Sequence, residues 1–169
     1  MVAQAVATIA LGLLGVSGVA KLIDPEPTTG AMNAARLPSS NILSRLLGTV
    51  ETVVALAALA VGGWLALLAA SGLYLAFTVF TFSALINRIP LQSCGCFGRE
   101  DTPPTWIHVA YNLVLAVTIG TLVTGPSPID WSMATVELTL YLVFAAIGVY
   151  ASYLLMTRLP QLLQLARST

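Results

Sequence analysis

Residues 64–86, WLALLAASGLYLAFTVFTFSALI, decide the fold class, because they form a long apolar run without a charged side chain. A helix needs about 20 apolar residues to cross the hydrocarbon core of a bilayer. Backbone groups in lipid have to be paired within the segment, so such a run predicts a helix. Residues 64–86 therefore indicate a membrane-spanning helix rather than the core of a water-soluble domain.

Four further apolar runs flank this one. They cover Val2–Leu22, Ile42–Val61, Trp106–Val123 and Val136–Met156. Of the 169 residues, 57% are hydrophobic and 8% are charged, whereas an average soluble domain has about 25% charged residues. The sequence therefore predicts an all-α, multi-pass integral protein of the plasma membrane, with the lipid bilayer as its surroundings. Its formal net charge of zero gives no bulk attraction to nucleic acid.

The basic residues predict how the helices are oriented. All seven lie in or beside the polar segments Asp24–Asn41, Asn87–Thr105 and 158–169, which five spans place on one side. Basic residues in short loops favour the cytoplasm, so we expect the N-terminus outside and the C-terminus inside. The first run lacks the basic start of a secretory signal, so we expect it to be retained. Three prolines predict that the segment Asp24–Asn41 contains no continuous helix.

Both cysteines lie in the second polar segment, in the string Ser93-Cys94-Gly95-Cys96-Phe97-Gly98-Arg99. Two cysteines separated by one glycine can close into a small, strained disulfide, of the labile kind that serves electron exchange. Arg99 and the start of the next helix would favour a thiolate. Two alternatives stay open: idle thiols in a tight turn, and a metal site that adds His108 and ligands from a partner. Structural zinc wants four such ligands, so we predict no metal.

Glu51 lies near the midpoint of the second run. A charged side chain there costs about 2.5–3.5 kcal/mol on the insertion scale for comparable residues. We expect that protonation, a cavity or a polar group on another helix offsets this cost. The carboxyl group is therefore either a functional, proton-handling group or a tie between two helices.

His108 and Asn112 are four residues apart and share one face of the predicted fourth helix, with Tyr111 beside them. These three side chains are candidates for hydrogen bonding to a quinone carbonyl. His108 is also a candidate for relaying a proton near the cysteines. Alternatively, they are interfacial polar residues that headgroups or loop backbone satisfy.

The segment Lys21-Leu22-Ile23-Asp24-Pro25 resembles the K-L-x-D-P signature of the methylamine utilisation MauE family, which is related to DoxX-type membrane proteins. The similarity continues in Glu51, the C-G-C-F-G string, Trp106 and Asn112, while Tyr111 stands where the family tends to have arginine. It implies a DoxX-like four-helix transmembrane core over residues 1–125. Residues 126–157 then add a fifth transmembrane helix, and 158–169 form a short polar or amphipathic tail.

The resemblance also implies a function, since the family is associated with maturing disulfide-rich subunits, often beside a thioredoxin-like partner. It is also compared with quinone-linked oxidases of the vitamin K epoxide reductase type. We predict a membrane-bound thiol-disulfide oxidoreductase, in which Cys94 and Cys96 pass electrons between such a partner and a quinone. Glu51 or His108 would handle protons. The alternative is a non-enzymatic membrane subunit that anchors or stabilises a larger respiratory or redox complex.

Two expectations about the cysteine loop follow from these predictions. The K-L-x-D-P corner and the cysteine string fall on the same side of the membrane, so Lys21, Asp24 and Pro25 are expected to pack under the loop. Lys21 and Asp24 would pair with each other or cap the helix end. The basic residues place the loop in the cytoplasm, whereas a role in exporting oxidising power would place it outside.

Overall fold

The computed structural model describes residues 2–91, 93, 95 and 103–158, and this part of the chain is helical, without strands. Its six helices are α1 (Val2–Ile23), α2 (Glu26–Ala34), α3 (Asn41–Ala60), α4 (Trp64–Ile86), α5 (Trp106–Thr121) and α6 (Thr135–Thr157). The all-α prediction is confirmed. The predictions for Cys94, Cys96, Phe97, Gly98 and Arg99, and for the tail from residue 159, lie outside the described residues.

Four of these helices, α1, α3, α4 and α6, are long and apolar enough to cross a membrane. Their bounds and those of α5 differ from the predicted runs by at most two residues, because hydropathy alone marks such segments. Helix α5 is also apolar but has 16 residues, fewer than the roughly 20 of a full crossing. The helices identify a multi-pass membrane protein, and a fifth crossing stays a prediction.

No helix continues through the segment between α1 and α3, as the prolines predicted, but the segment contains the short helix α2, which was not predicted. Pro25 is the N-cap of α2, and Pro27 lies in its first turn. The first turn of a helix has backbone N–H groups without intrahelical acceptors, so proline costs nothing there. These two prolines therefore begin a separate short helix after α1.

Helices α1 and α3 run antiparallel and cross through two glycines. A Cβ atom added to Gly18 would lie 2.6 Å from the carbonyl oxygen of Gly48, and one added to Gly48 would lie 2.6 Å from that of Gly18. Small residues allow two backbones to approach this closely in lipid. The crossing therefore decides which polar groups of the two helices meet.

The C-terminal ends of α1 and α4 and the N-terminal ends of α3 and α5 lie together, and we call this the polar end of the bundle. Helix α2 follows α1 at the same end. At the opposite end, Gln4 Nε2 donates a hydrogen bond to the carbonyl oxygen of Ser127 (2.9 Å), and Thr8 Oγ1 lies 2.7 Å from Tyr141 Oη. These uncharged contacts attach α6 and the segment before it to α1.

Candidate functional site

A buried ion pair joins α1 to α3. Lys21 Nζ lies 2.9 Å from Glu51 Oε2, and the two side chains are 2% and 0% exposed. Ser17, one turn before Lys21, accepts a hydrogen bond from Nζ (2.7 Å) and donates one to the same carboxylate oxygen (2.9 Å). Of the three ways in which the cost of Glu51 was expected to be offset, the structure shows a polar partner on another helix.

Because the pair is buried, each of its two charges depends on the other to offset the cost of its desolvation. In a low-dielectric interior, an ion that loses its partner is left with an uncompensated desolvation cost. The Lys21 ammonium also lies 5.4 Å from the centre of the Phe77 ring, in cation–π range. The second carboxylate oxygen, Glu51 Oε1, is buried and has no hydrogen-bond partner among the described residues.

Gly95, which stands between the two cysteines in the sequence, lies among the described residues. It is buried, and its carbonyl oxygen accepts a hydrogen bond from Thr28 Oγ1 of α2 (2.6 Å). Its φ of +77° is in the region that favours glycine, and an added Cβ would lie 3.0 Å from Thr28 Cα and 3.2 Å from Ala31 Cβ. Gly95 is therefore held against α2 at a position that only glycine occupies without strain.

A cavity of about 240 Å³ connects these two features, since both Lys21 and Gly95 line it. We call it the lysine–glycine cavity. Its other polar lining residues are Thr28 and Thr81, and its apolar lining comes from α2, α3, α4 and the segment after α2: Ala31, Met32, Leu37, Leu47, Leu73, Ala76, Phe77 and Phe80. A single water molecule needs about 10–15 Å³ of such cavity volume. The cavity therefore has room for an organic ring with apolar substituents.

His108 caps the start of α5. The backbone N–H of Thr105 donates a hydrogen bond to His108 Nδ1 (3.2 Å), and Thr105 Oγ1 lies 2.9 Å from the same nitrogen. Because Nδ1 accepts the backbone N–H, a neutral His108 ring carries its proton on Nε2. The side chain is 2% exposed. A loop-backbone partner was one of the alternatives for this histidine, and the structure shows such a contact.

The three candidate quinone ligands on α5 do not share one cavity. His108 and Asn112 line a space of about 20 Å³ together with Ser17 and Tyr74, which is room for about one water molecule. Tyr111 instead donates a hydrogen bond from its hydroxyl to Ser152 Oγ on α6 (2.5 Å). Of these two spaces, the lysine–glycine cavity has room for a larger ligand and the space beside His108 does not.

The other predicted motif residues also lie at the polar end. The Asp24 backbone N–H donates to the carbonyl oxygen of Ala20 (2.8 Å), which extends α1 by one bond. Trp106 is 58% exposed at the start of α5 and packs edge-on against Phe82, with ring centroids 5.9 Å apart. Such exposure fits an aromatic side chain at a membrane interface. The part of the chain with described coordinates contains no group of three or more His, Cys, Asp or Glu residues suited to a metal ion.

Ser17 and Thr28 are site residues that the sequence reasoning missed. Ser17 lies in the first apolar run and Thr28 in the first polar segment, and neither was singled out. The spacing of four between Ser17 and Lys21 is the available signal, since it places both side chains on one helical face. The sequence contains no comparable signal for Thr28, because its role depends on the tertiary contact between α2 and Gly95.

The fold and this site define a class: an all-helical, multi-pass membrane protein with a buried ion pair beside a ligand-sized cavity. The chain belongs to the family described as methylamine utilisation protein MauE, whose model matches residues 1–125. The resemblance seen in the sequence is thereby confirmed, and it connects this membrane protein with methylamine utilisation and redox maturation. Comparison with curated proteins and with solved structures gave no significant match.

Proposed function

We propose that this protein is a membrane-bound thiol-disulfide oxidoreductase that uses Cys94 and Cys96 as its redox pair. A dithiol of a thioredoxin-like partner reduces the Cys94–Cys96 disulfide and becomes a disulfide itself, so that two electrons and two protons are transferred. The reduced cysteines then give two electrons and two protons to a quinone, which becomes a quinol, and their disulfide forms again. The oxidised partner serves the maturation of a disulfide-rich protein.

The observation that carries this proposal is the position of Gly95. It stands between the two cysteines, is held on α2 by Thr28, and lines the same cavity as Lys21. Neighbouring residues in a chain lie about 3.8 Å apart at their α-carbons. This position of Gly95 supports a redox site beside a cavity that is lined by a buried ammonium group, and a nearby cation favours the thiolate form of cysteine.

The lysine–glycine cavity is the proposed site of the quinone ring. Its volume of about 240 Å³ and its apolar lining suit a ring with an isoprenoid tail, while Lys21 supplies a polar group for a ring carbonyl. The space beside His108 and Asn112 is about 20 Å³ and suits a water molecule. In this proposal His108 positions the start of α5, and the ion pair takes the part of proton handling.

The ion pair can accept a proton where the thiols release one. Lys21 would stabilise a thiolate, and Glu51 Oε1, which has no hydrogen-bond partner in the described part of the chain, would receive the proton. Ser17 holds the carboxylate and the ammonium in position, because it is hydrogen-bonded to both. General acid–base groups contribute typically about 10²–10⁴-fold in rate.

Counting accessible thiols tests the redox pair directly, because the chain has two cysteines. Membranes are quenched with acid and treated with a maleimide that adds mass to each free thiol. We expect no tags before reduction and two after it in the oxidised protein, and one tag in both states for Cys94→Ser or Cys96→Ser. Two tags without reduction in respiring cells and in cells whose quinones are oxidised would overturn the proposal.

The side of the membrane is tested with a membrane-impermeant maleimide in intact and permeabilised cells. The basic residues predict that Cys94 and Cys96 react after permeabilisation. Labelling of intact cells after reduction would invert the orientation and favour export of oxidising power. Permanently free thiols, together with a stoichiometric partner that copurifies, would favour a non-enzymatic subunit in a larger redox complex.

Filling the cavity tests the quinone site. Ala76→Phe on α4 places a ring in the lysine–glycine cavity, and Ala69→Phe places one seven residues earlier on nearly the same face of the same helix, away from that cavity. We expect Ala76→Phe to leave the cysteines reduced when quinone is added to quinone-depleted membranes, and Ala69→Phe to reoxidise like the wild type. Equal reoxidation of both variants would contradict the placement.

A further inference from the structure

A cleft of about 420 Å³ lies at the polar end, between the C-terminal end of α2 and that of α4. Two arginines line it, Arg36 after α2 and Arg88 after α4, together with Asn87 and Pro90. Its described lining residues include no acid. Neither guanidinium group has an ion-pair or hydrogen-bond partner among the residues with described coordinates. The cleft is thus lined by two cations that no described residue neutralises.

The backbone at the two arginines is built in the same way. Arg36 has φ of +57° and Arg88 has φ of +50°, and they are the non-glycine residues with positive φ in the described part of the chain. Each follows directly after a helix cap, at the position where helices commonly end on glycine. The next residue donates its N–H five residues back in both cases, from Leu37 to Met32 (2.9 Å) and from Ile89 to Ala84 (2.9 Å).

The positive φ at these two equivalent positions is an unfavourable backbone conformation for arginine. Glycine adopts a positive φ without cost, whereas a side chain with a Cβ does not. A cation does interact well with the partial negative charge of a helix end, but it can do so from the last helical turn without a positive φ. Strain of this kind at two equivalent positions points to a function for the side chains.

The level of the cleft relative to the membrane indicates which anion it binds. Arg88 lies two residues beyond Ile86, the last residue of the spanning helix α4, and the exposed Trp106 lies at the same end of the bundle. This is the level of lipid headgroups. Arginine binds phosphate through two parallel hydrogen bonds, and basic pockets at this depth bind the headgroups of anionic lipids.

We propose that Arg36 and Arg88 bind the phosphate group of an anionic phospholipid, which holds the ends of α2 and α4 together. The site is independent of the redox proposal, because neither arginine lines the lysine–glycine cavity. Two full positive charges exceed the roughly half negative charge that each helix end contributes. Anionic lipid is therefore favoured at this cleft over a zwitterionic lipid.

The test is the thermal unfolding of the full-length protein in detergent, with phosphatidylglycerol, phosphatidylcholine or inorganic phosphate added. We expect phosphatidylglycerol to raise the unfolding temperature more than phosphatidylcholine does, and inorganic phosphate to have little effect. Each arginine near an anionic surface contributes about fivefold in binding. Arg36→Gln and Arg88→Gln should therefore each raise the apparent dissociation constant for phosphatidylglycerol by about fivefold.

Two further variants separate lipid binding from folding. Arg45→Gln removes an exposed charge of α3 that does not line the cleft, so it should leave the preference for phosphatidylglycerol unchanged. Arg88→Gly accepts the positive φ and should be as stable as the wild type without lipid, yet lose stabilisation by phosphatidylglycerol. An equal effect of Arg45→Gln, equal protection by inorganic phosphate, or full lipid stabilisation of Arg88→Gly would each overturn the proposal.

Discussion

Separating Lys21 from Glu51 should destabilise the protein more than removing both charges together. The ammonium and the carboxylate are 2.9 Å apart and buried, so each charge is the main compensation for the other. Breaking a buried pair by removing one partner costs about 3–5 kcal/mol, whereas replacing both partners by apolar residues is often neutral or stabilising. We therefore expect Lys21→Met to cost about 3–5 kcal/mol, and Lys21→Met with Glu51→Leu to cost less.

The two single variants should differ, because the charges lie at different depths. Lys21 is two residues before the end of α1, so in Glu51→Gln its ammonium can extend toward the headgroups. Glu51 lies in the middle of α3, so in Lys21→Met its carboxylate cannot extend to the headgroups. Glu51→Gln should thus be the milder change. Ser17 remains as a hydrogen-bond partner in both variants.

Reversible unfolding in mixed micelles, with sodium dodecyl sulfate titrated into dodecyl maltoside and helix content followed by circular dichroism, measures these differences. Glu137→Gln is the control, since it removes an exposed acid in the first turn of α6. Surface changes of this kind fall within about 0.5 kcal/mol. The cycle is closed by a second double variant, Lys21→Met with Glu51→Gln. If its loss equals the sum of the losses of Lys21→Met and Glu51→Gln, the reasoning is refuted, because additivity means that the two charges do not interact.

Two further predictions concern a glycine crossing and an exposed acid. Gly48→Ala should lower the free energy of unfolding, because its Cβ would lie 2.6 Å from the Gly18 carbonyl oxygen, whereas Gly72→Ala, with nothing within 4 Å, should not. The side-chain and backbone hydrogen bonds from Ser132 hold the pKa of Asp130 below its usual range. That contribution is present above the unfolded-state pKa and disappears as pH falls through the folded one. Ser132→Ala should raise the pKa of Asp130 in a carboxyl titration followed by NMR.

The membrane helices could be predicted from sequence because hydropathy acts residue by residue and needs no knowledge of neighbours. Helix α2 could not, since Pro25 and Pro27 are breakers in a helix interior and good starters in its first turn. The choice between these two positions depends on where the preceding helix ends. Ile23 ends α1 directly before this segment, and that boundary is uncertain by a residue or two in any sequence-based prediction.

The partner of Glu51 was also beyond the sequence, although the need for one was clear. Which group fills that role depends on the register of α1 against α3, and the crossing at Gly18 and Gly48 sets this register. The K-L-x-D-P signature drew attention to Lys21 but suggested Asp24 as its neighbour. A local pair is what spacing favours, while the contact between Lys21 and Glu51 spans 30 residues.

The distribution of buried charge favours one-sided chemistry over transport. Ionisable groups inside a membrane protein mark the routes of ions and protons. In the described part of the chain, the buried charged side chains are Lys21 and Glu51, and both are reached from the polar end. Toward the opposite end the interior continues with small apolar residues such as Ala10 and Ala58, and uncharged hydrogen bonds of Thr8 close it. In the described part of the chain, a charge that entered at the polar end would find a charged partner as far as the middle of α3. That arrangement supports the proposed redox site, which takes electrons and protons from one face of the membrane.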